Sequence, residues 1–335
     1  MKISLYDNNE KLAYNPNTLK NIGVGGTQTV IIEVARELAT RGHEVTVYIK
    51  CNFPDIYDGV KYMQHFDYKP SNEDALIGFE SLPKQYDAKK VFNWSTRVAI
   101  KDVLRYPNVD NLIVSSEWHR DRYASELPQE LVKKTAVIEP GVRDYFFEDR
   151  KKWDLSISYI GHPFKGGMKS LIEFARRLKP KMRHASIHVY GGGGLWGWDD
   201  DQYRSMYDDL IKNKILFHGR SGKKRMVKQL GGTQIFLYPV GKHIQETFCL
   251  AVLEAMASGC VIIASDNGNI KHLVGDTGYI IGGSIDDYKW HLTAIELVTE
   301  LFEDHDLLRE LSEDARKRAK EYTWEKTAEN LEKLL

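Results

Sequence analysis

Residues 245–260 read QETFCLAVLEAMASGC, and two acids in this stretch have a type and spacing that could do chemistry. Glu254 stands among Leu250, Ala251, Val252, Leu253, Ala255, Met256 and Ala257, where a buried helix would carry only carbon. Burying a carboxylate without a partner costs several kcal/mol, so something must meet it. Glu246 lies eight positions earlier, at the edge of the same apolar block. If a helix starts near Thr247 and runs over 247–258, the two side chains are separated by about 12 Å of rise and project from roughly the same side. The N–H groups of Thr247, Phe248 and Cys249 would then be free to meet an anion. Such a row suits a ligand with hydroxyls at both ends and a diphosphate between, as in a nucleotide-sugar. The other reading is that Glu246 is a solvated acid at the helix start and Glu254 an exposed or paired helix residue. Spacing leaves both open.

The elements that must position these acids follow from hydrophobic periodicity. Lys2–Tyr6 is strand-prone. A loop with Gly23, Gly25 and Gly26 follows, then TQTVIIEVARELATRG, whose Val30, Ile31, Val34, Ala35 and Leu38 recur at helical spacing up to Gly42. Glu44–Ile49 is the next strand, which makes a strand–loop–helix–strand unit of a parallel sheet. Ala75–Gly78, Lys90–Trp94, Asn111–Ser115 and Thr135–Glu139 read as further strands. After the polar, aromatic stretch at 141–154 the pattern restarts. Strands are expected at Leu155–Ile160, Ser186–Tyr190, Leu216–His218, Ile235–Tyr238 and Val261–Ala264, with a helix at Lys169–Leu178. A charged amphipathic helix pair closes the chain. The division expected is 1–150, 151–315 and a terminal helix at 316–335.

The chain has 335 residues, with 47 Lys and Arg against 47 Asp and Glu. Two ordinary domains fit that length. Charge balance argues against non-specific nucleic-acid binding, which needs a basic excess. Cys51, Cys249 and Cys260 have neither paired nor metal-ligand spacing, so a reducing cytosol is expected. The N-terminal MKISLYDNNEK carries no signal-peptide pattern. The longest apolar run is broken by Glu254 and Gly259, so no membrane span is expected. A peripheral contact at the cytoplasmic face of a membrane stays open.

In an open parallel sheet, ligands bind beyond the carboxyl ends of the strands. Gly23-Val24-Gly25-Gly26-Thr27 lies at such a place, where glycines serve either a phosphate at a helix N-terminus or tight strand–helix packing. The loop departs from the dinucleotide G-x-G-x-x-G pattern, because Gln28 occupies the sixth position from Gly23. A nicotinamide oxidoreductase is therefore disfavoured.

Glu246–Glu254 with ETFCLAVLEAMASGCVIIAS resembles the E-x7-E signature of retaining GT-B glycosyltransferases, in particular the large family-4 group. Other segments match in order along nearly the whole chain. They are VGGTQTVIIEVARELATRGHEVTVY, LIVSSEWHRDRYA, IEPGVRDYFF, ISYIGHPFKGGMKSLIEFARRL, HVYGGGG, ILFHGRSGKKRM and EYTWEKTAENL. The resemblance implies an α/β GT-B fold of two Rossmann-like, doubly wound domains facing a central cleft. The first would bind the acceptor and the second the nucleotide-sugar, and the terminal helix would cross back to the first. Domain closure would complete the site and expel water.

It also implies roles for residues. Glu246 would contact the donor sugar and Glu254 the ribose. Thr247, Phe248, Cys249 and Leu250 would supply contacts near the sugar and phosphates. Lys165 would neutralise the departing diphosphate, with His162 where the family has arginine. Lys169 or a basic residue of GRSGKKRM would compensate for that arginine. Gly219 and Arg220 would lie near the base, and Gly25 and Gly26 would face the diphosphate across the cleft. The implied chemistry is retaining hexosyl transfer, catalysed by Glu246 and Lys165, from a UDP- or GDP-linked sugar to a glycan, lipid or small-molecule hydroxyl. No cofactor and no divalent metal would be required.

Three departures from the family pattern stand out. Cys249 occupies a position usually held by glycine, and its thiol is expected to be packed rather than reactive. His162 replaces the arginine. The segment VFNWSTRVAI has Asn93, Trp94 and Ser95 where relatives carry a histidine, and His119 and His243 are the nearest alternatives, His119 reading as structural. Asp199-Asp200-Asp201 reads as a solvated helix-start cluster rather than a D-x-D metal motif. Trp196 and Trp198 beside it suit either sugar stacking or loop packing. The competing functions are a GT-B-shaped phosphorylase or epimerase, and a sugar-nucleotide-binding protein with impaired catalysis.

Overall fold

The computed structural model describes residues 1–335 and divides into two compact units. The first comprises Met1–Leu19, Val24–Gly141 and Tyr322–Leu335, and the second Lys20–Gly23 and Val142–Glu321. The division thus falls at Gly141 rather than at 150, and the terminal segment starts at Tyr322 rather than at 316. The helix His305–Ala319 accounts for the latter difference, because it belongs whole to the second unit and covers the helix Leu250–Ala257 there.

The first unit is built on an eight-stranded sheet. Its strands are β1 (Lys2–Tyr6), β2 (Glu44–Ile49), β3 (Asp55–Tyr57), β4 (Val60–Gln64), β5 (Ala75–Phe79), β6 (Lys90–Trp94), β7 (Asn111–Val114) and β8 (Thr135–Val137). Their order is β3-β4-β2-β1-β5-β6-β7-β8, and every pairing is parallel except β3–β4. The β3–β4 hairpin is not foreseen by periodicity, although Asp58-Gly59 signals it. Both residues have positive φ (50° and 78°), as a two-residue hairpin turn requires. The helix Gly26–Thr40 buries Val30, Ile31, Val34, Ala35 and Leu38, the periodic set read from sequence.

The second unit holds six parallel strands: β9 (Ser156–Gly161), β10 (Ser186–Gly191), β11 (Leu216–Phe217), β12 (Ile235–Tyr238), β13 (Val261–Ser265) and β14 (Gly278–Ile281). Their order is β11-β10-β9-β12-β13-β14. Winding runs outward one way from β9 and the other way from β12, so the direction reverses between these two neighbours. Crevices that bind ligands open at such a reversal, beyond the strands' carboxyl ends. β12 and β13 are buried at every position, as strands covered on both faces should be. The strand β14 lies outside the sequence reading, since its GYII is short and flanked by glycines. No helix is long and apolar enough to cross a membrane.

The terminal helix Trp324–Glu332 packs on the helix Gly26–Thr40 within the first unit. Thr323 caps it through the Lys326 N–H, and the Thr327 hydroxyl donates to the Glu139 carbonyl at 2.8 Å. Trp324 is buried at its start. Trp324→Ala is expected to destabilise the protein by about 3–5 kcal/mol, read as a lowered midpoint in urea. An unchanged midpoint would show that this helix does not anchor the first unit.

Candidate active site

Lys165 and Glu246 are brought together at the reversal point. The loop after β9 passes through a short turn at Pro163–Lys165, whose backbone is fixed by Gly241 N–H donating to the Lys165 carbonyl at 2.9 Å. The loop after β12 carries Glu246. Lys165 Nζ lies 2.6 Å from Glu246 Oε1, and both side chains are largely buried, at 17% and 10% exposure. Burial works against the Lys165 charge, but the Glu246 carboxylate outweighs it and holds the lysine above its ordinary range. The ammonium therefore persists throughout the neutral pH range.

The backbone of Glu246 is held on both sides by the segment after β13. Its N–H donates to Asn267 Oδ1 at 2.9 Å, and its carbonyl accepts from Asn269 N–H at 2.8 Å. Asn267 also donates to the Ile244 carbonyl at 2.7 Å, which staples the loop. Tyr238 OH lies 3.0 Å from Glu246 Oε1 and 3.0 Å from Lys165 Nζ. The sequence gives Asn267 and Tyr238 no role at the site. The available signals are a phenol closing the apolar run IFLY and an Asn-Gly-Asn stretch just after a strand.

The helix carrying Glu254 starts at Leu250, not near Thr247. Glu246 through Cys249 form a loop, so a two-turn helical spacing does not describe the two acids. The first N–H groups without helical partners are those of Leu250, Ala251 and Val252, since Leu253 already donates to the Cys249 carbonyl. Glu246, Thr247, Phe248, Cys249 and Leu250 are all buried. What delays the helix is Cys249, which precedes it with φ 80° and ψ 77°. A side chain there carries strain of about 1–3 kcal/mol, which glycine would not. Burial, with the nearby Glu246 charge, pushes the Cys249 thiol up to about 12, so it is inert at neutral pH.

The partner required by Glu254 is Lys223, at the first position of the helix Lys223–Gly232. Its ammonium contacts Glu254 Oε1 and lies 5.9 Å from the Phe146 ring centroid. GRSGKKRM thus does supply a cation, but one bound to the second acid.

His162 sits beneath an aromatic cluster. Its ring stacks on Trp196 at 3.9 Å and meets Trp198 edge-on at 4.9 Å. Nδ1 accepts the Phe164 N–H at 3.1 Å. Burial and the nearby Lys165 charge lower its pKa to about 4, so His162 is neutral and supplies none of the arginine's charge. Arg220 turns back to donate to the Gly194 carbonyl at 2.7 Å, and the Gly219 carbonyl accepts from Gly191 N–H. Asp200 accepts the Gly193 N–H at 2.6 Å, and Asp199 caps Asp201, so these acids shape their own loop. His243 donates to the Phe164 carbonyl at 2.6 Å. An acidic surface depression lined by Glu296, Glu300, Glu303 and Asp306 includes none of these residues.

In the first unit, Gly25 precedes the helix Gly26–Thr40 with an ordinary φ of −69°, and a side chain at Gly26 would meet open space. Gly23 differs. It has φ 98°, and a Cβ there would lie 2.4 Å from the Ser221 carbonyl, so close packing demands its glycine. His119 is fully buried, with Nε2 donating to the Arg97 carbonyl at 2.8 Å, and burial lowers its pKa to about 4. The structure gives it a packing role.

Residues 150–318, just over half of the chain, match the family model described as glycosyl transferases group 1. The chain belongs to that family. Over 185 residues it is 29% identical to the D-inositol 3-phosphate glycosyltransferase of Corynebacterium glutamicum (strain R), a match covering 53% of this chain and 42% of that protein. The matched part thus spans less than half the length of that relative. Among solved structures, sucrose-phosphate synthase from Thermosynechococcus elongatus superposes with a TM-score of 0.77 at 15% identity, covering 99% of this chain and 98% of that one. Anabaena HepE, solved in complex with UDP-glucose, gives 0.71 at 12% identity, covering 99% and 98%. These likenesses establish the GT-B fold.

Two outcomes follow from this geometry. Lys223→Met strands a buried carboxylate and is expected to cost about 3 kcal/mol, while the Lys223→Met/Glu254→Gln double variant recovers part of it. Urea denaturation measures both, and equal loss in the two would separate Lys223 from Glu254. Cys249→Gly should melt higher than Cys249→Ala, by about 1 kcal/mol in stability. The reverse order would remove the case for backbone strain at this position.

Proposed function

We propose that this protein transfers a sugar from a nucleotide-diphosphate donor to an acceptor hydroxyl, with retention at the anomeric carbon. The observation that carries the reading is the Lys165–Glu246 pair at the carboxyl ends of β9 and β12, in a chain of the group 1 family. Lys165 offers a persistent positive charge to the departing diphosphate. Glu246 offers a carboxylate to the sugar hydroxyls. Glu254, four residues into its helix, suits the ribose hydroxyls, with Lys223 alongside. The helix start at Leu250 presents N–H groups of the kind that take phosphate oxygens.

As the diphosphate leaves, an oxocarbenium-like centre forms and the acceptor attacks from the same face. The diphosphate can take the acceptor proton, so neither a protein base nor a divalent metal is needed in this scheme. A UDP- or GDP-linked donor and a glycan, lipid or small-molecule acceptor fit the reading, as does a cytoplasmic setting.

A second reading, a sugar-nucleotide-binding protein with impaired catalysis, draws on one observation. His162 is buried and neutral where relatives place an arginine. Lys165 is then the one cation paired directly with Glu246.

Donor cleavage with UDP-, GDP-, ADP- and CDP-linked glucose, with anomeric configuration followed by NMR, tests the proposal. Turnover should survive chelation and fall about a hundred- to a thousandfold in Lys165→Ala and comparably in Glu246→Ala. Nucleotide-sugar binding without cleavage over any acceptor would favour the second reading. Undiminished turnover in both variants would overturn the residue assignment.

A further inference from the structure

The Lys165–Glu246 pair has a third member whose chemistry packing does not explain. Tyr238 closes β12, where IFLY runs through three apolar residues into a fully buried phenol. Its ring stacks with Phe236 at 5.7 Å and with Tyr159 at 5.6 Å. A phenylalanine would fill that stack equally well, so the hydroxyl is what needs a reason.

Counting protons assigns it. The phenol has one hydrogen and donates it to Glu246 Oε1 at 3.0 Å. Its lone pair accepts an N–H of Lys165 at 3.0 Å. Lys165 places a second N–H on Glu246 Oε1 at 2.6 Å, which closes a three-cornered ring. A lysine ammonium carries three rotating donors on a flexible stem. Two of them held at fixed points leave the third with a single direction.

Resting on the donor reading above, we propose that Tyr238 is a positioning residue, whose hydroxyl aims the remaining N–H of Lys165 at the donor's diphosphate and holds Glu246 for the sugar. The role is exerted through Lys165 and Glu246 and requires no contact between Tyr238 and the donor. Ordering these groups before the ligand arrives lowers the ordering cost of binding.

Tyr159 supplies an internal control. It belongs to the same stack, is equally buried, and its hydroxyl has no hydrogen-bond partner. Removing that hydroxyl changes a buried phenol beside the site without touching the ring of bonds.

The test measures UDP-, GDP-, ADP- and CDP-glucose binding by calorimetry for the unmodified protein, Tyr238→Phe and Tyr159→Phe, each checked by thermal melting. The ammonium 15N–1H resonance of Lys165 is followed in the ligand-free proteins and assigned with Lys165→Met. Tyr238→Phe should weaken binding about tenfold or more and abolish the slowly exchanging ammonium signal. Tyr159→Phe should leave both unchanged. Binding by Tyr238→Phe equal to that of the unmodified protein would overturn the proposal, whether or not the ammonium signal changed. Persistence of that signal in Tyr238→Phe would overturn it too, since the lysine would then be held by something else. Failure of the unmodified protein to bind any of the four probes would instead defeat the donor reading, and with it the role given to Tyr238.

Discussion

A lysine and a glutamate with little exposed surface can keep their charges only if they stay together. Removing either would leave the other uncompensated in a medium that solvates it poorly. In the second unit the loops after β9 and β12 satisfy this requirement. They meet because those strands are neighbours at the point where the winding reverses. The Gly241 contact to Lys165, the Asn267 staple and the Asn269 contact to Glu246 then fix the backbone on both sides of the pair. Such support matters because a site loose by about 1 Å loses much of its effect.

The same logic repeats one helix away. Glu254 is tolerated in an otherwise apolar helix because Lys223 reaches it from the start of a neighbouring helix. Glu246 and Glu254 are therefore each matched to a lysine on a different element. Between them lies Cys249, in a backbone conformation that glycine adopts without strain. The late helix start at Leu250 is the visible consequence of that local conformation.

Most of the fold is legible in the sequence because its parallel strands are short runs rich in β-branched, aliphatic and aromatic residues, continuous where both faces are covered, as in β12, and alternating where one is, as in β2. β1, β2, β6 and β12 fall where periodicity places them. The hairpin β3–β4 was legible in principle, through Asp58-Gly59, but its strands are too short and mixed to show alternation. The site was legible as residue types at a spacing, yet not as geometry. Apolar content cannot reveal that Cys249 takes a left-handed turn, so periodicity starts the helix three residues early. Partners distant in sequence were the hardest part. Nothing local to Glu254 announces Lys223, and nothing local to Tyr238 announces that its hydroxyl bridges Lys165 and Glu246. His162 looked like a weak substitute for a cation, and its burial against Trp196 removes it from that role.

On the proposed function, the Lys165–Glu246 pair is the part of this protein that grips an activated sugar. A crystal structure with an intact nucleotide-sugar tests it most directly. A diphosphate oxygen is expected within hydrogen-bond reach of Lys165 Nζ, and a sugar hydroxyl on the Glu246 carboxylate. A well-ordered donor bound elsewhere, with the pair still closed on itself and touching no ligand atom, would contradict it.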